Sequence, residues 1–221
     1  TRQLDIKCAY LYGKLEEEIY MRLDPIHECE KERIVKLKKP IYGLKQSGRN
    51  WNQELDQFLI KLGFERLRSS SCVYKKGYWI IAVIYVDDIF LFSTDLELID
   101  SFVKSISKKY ETKDLGAISN MLGVKVEKHD EEITLSQETY IETLLNKYNM
   151  KECRSAATPL EPGLKLSKDM QVDYLSEERR TVYRELIGSL MYVALRTRPD
   201  ILFATTKLSQ FNSCPNEAHW M

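Results

Sequence analysis

Residues Trp79-Ile80-Ile81-Ala82-Val83-Ile84-Tyr85-Val86-Asp87-Asp88-Ile89-Phe90-Leu91-Phe92 form an almost unbroken apolar run with one interruption, the acid pair at 87 and 88. β-Branched and aromatic residues dominate both arms. Two such arms around two polar residues spell a β-hairpin. Downstream the period changes: Leu98, Ile99, Phe102, Val103 and Ile106 recur three and four apart, so residues 95–110 read as an amphipathic helix, with a turn after it at Asp114-Leu115-Gly116. A strand at 121–127 with a partner at 132–135 comes next. Ser136 then opens a helix carrying Ile141, Leu144, Leu145 and Tyr148 on one face. Residues 156–176 hold Pro159, Pro162 and Gly163 and read as a loop, and residues 183–211 as two helices broken at Arg198-Pro199, because proline disfavours helix in the residue before it.

Upstream of the hairpin, residues 1–12 read as a strand running to a turn at Gly13. Short strands fit 18–23 and 34–37, and Trp51, Leu55, Phe58, Leu59 and Leu62 fall at helical spacing before a glycine stop at Gly63. Strands interleave with helices through hairpin-length connections. That pattern predicts an α+β fold with an antiparallel sheet and packed helices, not a doubly wound parallel one, with the helix-rich final third as a separate subdomain.

Composition bounds the function. The chain has 221 residues, 43% hydrophobic and 30% charged, with 9 Gly and 6 Pro, which is folded-protein composition and excludes collagen-like, mucin-like and disordered readings. Its 33 basic and 33 acidic residues cancel, so any nucleic-acid partner needs a local basic patch. Five scattered cysteines with no Cys-x-x-Cys pair fit a reduced, intracellular setting, and His27 with Cys29 falls short of the four ligands of a structural zinc site. No apolar run approaches the roughly 18 residues of a membrane span. Neither end tapers into a polar tail, which suggests a piece of a longer protein.

Adjacent carboxylates raise each other's pKa or call for a cation. Asp87-Asp88 is therefore either a solvated turn or a magnesium site, since hard carboxylate oxygens suit that ion. Asp5, in Leu4-Asp5-Ile6-Lys7-Cys8-Ala9-Tyr10, stands opposite Leu4 and Ile6 by strand alternation and can reach Asp87 from a neighbouring strand. Three carboxylates of this kind can hold two magnesium ions about 3.5–4 Å apart, the arrangement that clamps the attacking and leaving oxygens of phosphoryl or nucleotidyl transfer.

The segments Asp5-Ile6-Lys7-Cys8-Ala9-Tyr10-Leu11-Tyr12-Gly13, Tyr42-Gly43-Leu44-Lys45-Gln46, Tyr85-Val86-Asp87-Asp88, Leu135-Ser136-Gln137, Gly188-Ser189-Leu190-Met191-Tyr192 and Thr197-Arg198-Pro199-Asp200, in this order, resemble the reverse transcriptase of copia-type retrotransposons. The resemblance runs through essentially the whole chain and implies an RNA-directed DNA polymerase cut from a Pol polyprotein. It implies a right-hand palm with partial fingers over residues 1–128, and a thumb with the start of a connection region over residues 129–221. Asp5, Asp87 and Asp88 match the catalytic, metal-holding aspartates. Tyr10 matches the aromatic gate against a ribose 2′-hydroxyl, its alternative being an ordinary core tyrosine. Gln46, with Lys45 and Arg49 beside it, matches the residues that lie against the incoming nucleotide, and Met121, Leu122 and Gly123 match the primer grip. Lys113 is a candidate proton donor to pyrophosphate. Asn120 departs from the apolar residue usual before the primer grip, and Ser47-Gly48 from a common Ala-Pro.

The neutral total hides a basic stripe. Arg33, Lys36, Lys38, Lys39, Lys45 and Arg49 precede Gln53 with no acid among them, either as a phosphate-binding surface or as a solvated face balanced by Glu16-Glu17-Glu18. The expected partners are an RNA or DNA template-primer and deoxynucleoside triphosphates, with no membrane, in a cytoplasmic retrotransposon particle. Only four residues precede Asp5, so fingers strands and a ribonuclease H portion are expected to be missing. The rival is a catalytically dead remnant that binds nucleic acid at most. A nucleotidyl cyclase on a similar palm predicts neither the Leu44-Lys45-Gln46 segment nor the primer grip.

Overall fold

The computed structural model describes residues 1–23, 33–161, 163–167 and 173–220. His27 and Cys29 lie outside the described residues. The chain divides into two compact units, Thr1–Ile118 and Ser119–Met221.

The first unit is built on a six-stranded sheet. Its strands are β1 (Arg2–Ile6), β4 (Glu65–Leu67), β5 (Ser70–Lys76), β6 (Ile80–Tyr85), β7 (Asp88–Ser93) and β8 (Thr112–Gly116), in the order β4-β5-β6-β7-β1-β8 and antiparallel at every junction. A separate two-stranded ribbon pairs β2 (Tyr20–Leu23) with β3 (Arg33–Lys36). Helices α1 (Ser47–Lys61) and α2 (Leu96–Ser107) complete the unit. Asp95 caps α2 by accepting from the Glu97 amide at 2.8 Å. Gly63 ends the α1 turn in the left-handed region at φ +84°, where a side chain is disfavoured.

Alternation decides which face of the sheet is core. Leu4, Ile6, Ala82, Ile84, Ile89 and Leu91 point one way and pack with Trp51, Leu55 and Leu59 of α1 and Ile99, Phe102 and Ile106 of α2. Each such side chain contributes roughly 1.5–3 kcal/mol by leaving water. The residues between them, Gln3, Asp5, Val83, Tyr85, Asp88 and Phe90, therefore share the opposite face. Two expectations change here. The first strand stops at Ile6, because Cys8 turns the chain at φ +52° into a short 3₁₀ helix, Ala9–Tyr12, that buries Ala9. Asp114-Leu115-Gly116 ends a strand instead of making a free turn, because Arg2 reaches across from β1 to pair with Asp114 and Asp100, each at 3.0 Å.

α1 is tied to the segment after α2 by Glu54, which accepts from Lys109 at 2.5 Å and from the Tyr110 hydroxyl at 3.3 Å. Burial works to raise the Glu54 pKa, but the Lys109 ammonium outweighs it and holds the carboxyl below its ordinary value. A lowered carboxyl pKa contributes stability that is present above the unfolded value and lost as pH falls through the folded one. Lys109 is partly exposed, so Glu54→Gln should cost only about 0.5–1 kcal/mol near neutral pH. The difference should fade as pH falls below the ordinary carboxylate range, as read by urea unfolding at neutral and at acid pH.

The second unit pairs β9 (Asn120–Met121) with β10 (Val124–Lys128) and β10 with β11 (Ile133–Ser136). Helices α3 (Glu138–Lys147), α4 (Glu177–Arg196), α5 (Leu202–Ser209) and α6 (Glu217–Trp220) follow. Leu175, Tyr183 and Ile187 make its small core with Leu208 and Trp220. The antiparallel sheet with packed helices is the expected α+β class. Among the described residues no helix is long and apolar enough to cross a membrane.

Candidate active site

The β6–β7 hairpin turns on two residues, Val86 and Asp87, between the paired Tyr85 and Asp88. Val86 has φ +53° and Asp87 does not share that sign, the φ pattern of a type II′ turn with valine where glycine is normal. A β-branched residue in the left-handed region is strained, and such strain persists only where neighbours enforce it. Two neighbours do so here. The buried Trp51 indole N–H donates to the Val86 carbonyl at 2.7 Å, and the Ile6 amide donates to the Asp87 carbonyl at 2.9 Å.

The register of β1 against β7 puts Asp5 directly across from Asp88, and Asp87 is the next residue toward the turn. All three carboxylates are half-buried. Burial raises the Asp88 pKa, the Gln3 amide pulls it back from 3.3 Å, and the charges of Asp87 and Asp5 raise it further, so the acids lie close enough to feel one another. Among the described residues the Asp5 and Asp87 carboxylates make no hydrogen bond or ion pair, which is an uncomfortable state for half-buried anions and a fitting one for cation ligands. These oxygen donors suit magnesium. Among the described residues no three His, Cys, Asp or Glu side chains gather into a set that could hold a metal ion as placed. Like charges without a counter-ion repel one another.

Tyr10 stands on the 3₁₀ helix with its ring against Tyr42, centroids 4.4 Å apart, and its hydroxyl over Gly48 of α1, where a Cβ would lie 3.7 Å away. Tyr42 belongs to the site. Its phenol pKa is raised by burial first and then by the charges of Asp87, Cys8, Tyr10 and Asp5, which are the groups around it. Sequence reading quoted Tyr42 only as part of a motif, and the contact that reveals it joins segments distant in the chain. Ser47 is buried and donates to the Ile41 carbonyl at 2.6 Å, which pins the Tyr42–Gln46 bend and gives this serine a local reason.

Gln46 is the residue before α1, half-buried, with no side-chain cap on the helix. Lys45 and Arg49 flank it, both exposed and, among the described residues, both without an ion pair. The first turn of α1 holds no acid, so two cations sit against the positive end of its dipole, an arrangement that an anion would relieve. Lys36 differs, because it pairs with Glu18 and is balanced as the solvated-face alternative requires. Lys113 is register-paired with Asp5 on the other flank of β1.

Met121, Leu122 and Gly123 belong to the second unit. Leu122 and Gly123 form the two-residue β9–β10 turn at φ +51° and +80°, the signs of a type I′ turn, so the strand expected over 121–127 is a hairpin. Asn120 accepts from the Gly123 amide at 3.1 Å, which explains a polar residue there. Tyr192 donates to the Leu122 carbonyl at 2.6 Å and would collide with a Cβ on Gly123. The motif ending in Tyr192 thus braces this turn. Similarly, Thr197 donates to the buried Gln137 at 2.8 Å, so two further motifs hold the second unit together.

A family model described as Reverse transcriptase (RNA-dependent DNA polymerase) matches residues 1–162. The chain is 39% identical, over 100% of its length and 17% of the relative's, to the retrovirus-related Pol polyprotein from transposon TNT 1-94 of Nicotiana tabacum. It is 35% identical to that from transposon RE1 of Arabidopsis thaliana, over 99% of its length and 15% of the relative's. It is 34% identical to the transposon Ty1-DR5 Gag-Pol polyprotein of Saccharomyces cerevisiae, over 94% and 12%. The chain spans less than a fifth of the length of these relatives.

Proposed function

Because the chain belongs to the reverse transcriptase family of copia-type transposon Pol polyproteins, we propose that it carries out RNA-directed DNA synthesis by two-metal nucleotidyl transfer. The observation that carries this reading is the register that sets Asp5 opposite Asp88 beside the strained turn bearing Asp87. Residues 1–128 would serve as palm with partial fingers, and residues 129–221 as thumb and the start of the connection region. Two magnesium ions on Asp5, Asp87 and Asp88 would activate the primer 3′-hydroxyl and neutralise the departing pyrophosphate.

The chain's own residues supply the rest. Tyr10, backed by Tyr42, would close the space that a ribose 2′-hydroxyl needs. Gln46 would lie against the incoming nucleotide, with Lys45 and Arg49 attracting its phosphates at the α1 N-terminus. Met121, Leu122 and Gly123 would hold the primer end, and Lys113, across from Asp5, would return a proton to pyrophosphate. Template, primer and deoxynucleotides are the partners, within a retrotransposon particle.

A second reading has one observation in its favour: the described acids do not close into a metal-holding set. In that case the chain binds nucleic acid without polymerising. One experiment separates the two. The 221-residue chain is given a DNA primer on an RNA template with magnesium and deoxynucleotides, and binding is titrated against salt in parallel. Extension is expected, and binding should weaken log-linearly with salt, with Lys45→Ala and Arg49→Ala each lowering the slope by about 1. Salt-sensitive binding without any extended primer would leave only the second reading.

A further inference from the structure

Trp51 was legible as one apolar position on a helix face, yet its indole N–H ends on a backbone atom of the catalytic turn. We infer that Trp51 is a positioning residue: its hydrogen bond to the Val86 carbonyl holds the turn in the left-handed conformation that presents Asp87 and Asp88, on the polymerase reading given above.

Valine does not rest at φ +53° unaided, so something must hold it there. Two consecutive turn carbonyls are anchored from opposite sides, that of Val86 by α1 at 2.7 Å and that of Asp87 by β1 at 2.9 Å. With both fixed, the peptide planes on either side of the Asp87 Cα are fixed, and with them the direction of its Cα–Cβ bond. Trp51 is itself immobile. It is 2% exposed, packs edge-on against Tyr110 at 5.3 Å and tilted against Tyr12 at 6.2 Å. Gly13 lies so close that a Cβ there would stand 3.1 Å from the Trp51 amide nitrogen. Tyr12 in turn accepts from the Glu111 amide at 2.9 Å. The turn is thereby fastened to a rigid aromatic group shared by three segments.

A buried tryptophan usually finds some acceptor, so the test must separate holding from packing. Trp51→Phe keeps an aromatic ring and removes the donor. In the 221-residue chain it should lower kcat for single-nucleotide addition about tenfold, the worth of one such bond, with KM for the deoxynucleotide changed less than about twofold. Amide exchange should quicken at residues 85–88 and at Ile6 and stay unchanged through α1 and α2. Adding Val86→Gly should recover most of the lost rate, because glycine takes a positive φ without help.

Exchange that quickens evenly through the unit, or a loosened turn with unchanged kcat, would overturn the inference. If the unsubstituted chain extends no primer, the polymerase reading fails, and the exchange pattern alone decides whether Trp51 holds the turn. Should Trp51→Phe not fold, the unsubstituted chain still answers: its Trp51 indole proton should exchange as slowly as the amides of β6 and β7. Fast exchange refutes the bond.

Discussion

Asp87→Asn is expected to slow nucleotide addition at least about a thousandfold while the chain folds as before. The amide keeps the size and shape of the carboxylate and loses its charge. On the proposed reading a metal ligand and its negative charge disappear together, and each tenfold step corresponds to about 1.4 kcal/mol of transition-state stabilisation. Folding should not suffer. The Asp87 side chain has no described partner, and its structural bond runs through the backbone carbonyl to Ile6, which asparagine retains. Removing one of three crowded acids relieves repulsion on Asp88, so the melting temperature should hold or rise slightly. Rapid single-nucleotide extension by the variant would refute the assignment of Asp87.

Tyr10→Ala should lower the preference for deoxynucleotides over ribonucleotides about a hundredfold, with deoxynucleotide addition reduced far less. Selection by a ring that collides with a 2′-hydroxyl depends on the ring having no room to retreat. Tyr42, whose tilted ring lies 4.4 Å away on one side, limits that room. The gate's barrier is the ring and not its hydroxyl, so Tyr10→Phe should select almost normally. Truncation to alanine also removes the packing of a half-buried ring, which makes a thermal melt a needed companion to the competition assay. Equal selectivity in all three proteins would return Tyr10 to the role of a packing residue.

What could be read from the chain beforehand followed from local chemistry. The hairpin at 79–92 announced itself through β-branched and aromatic arms, and alternation around Leu4 and Ile6 put Asp5 on the face it occupies. Contacts between distant segments were not readable. Tyr42 joins the site by its ring contact with Tyr10, and Trp51 by a bond to Val86, and neither residue's type or spacing names its partner. The strand at Thr112–Gly116 escaped because Asp114 and Gly116 are turn formers by composition, and only pairing with β1 overrides that preference. The tie between Tyr192 and the Leu122-Gly123 turn was hidden for the same reason, its two ends being 70 positions apart.

The strand order has a consequence for how the protein comes into being. Of the six strands of this sheet β1 is made first, yet it sits between β7 and β8, the last two. Gln3 and Asp88, which meet across that junction, are 85 positions apart. During synthesis, at about 5–20 residues per second, this strand must wait several seconds with its backbone edges unpaired before either neighbour exists. Closing so long a loop is entropically expensive and makes formation of this junction a slow, late step. Asp5 arrives beside Asp88 in that same step. A nascent or half-folded chain therefore cannot bring its acids together, and only the completed sheet sets Asp5 opposite Asp88.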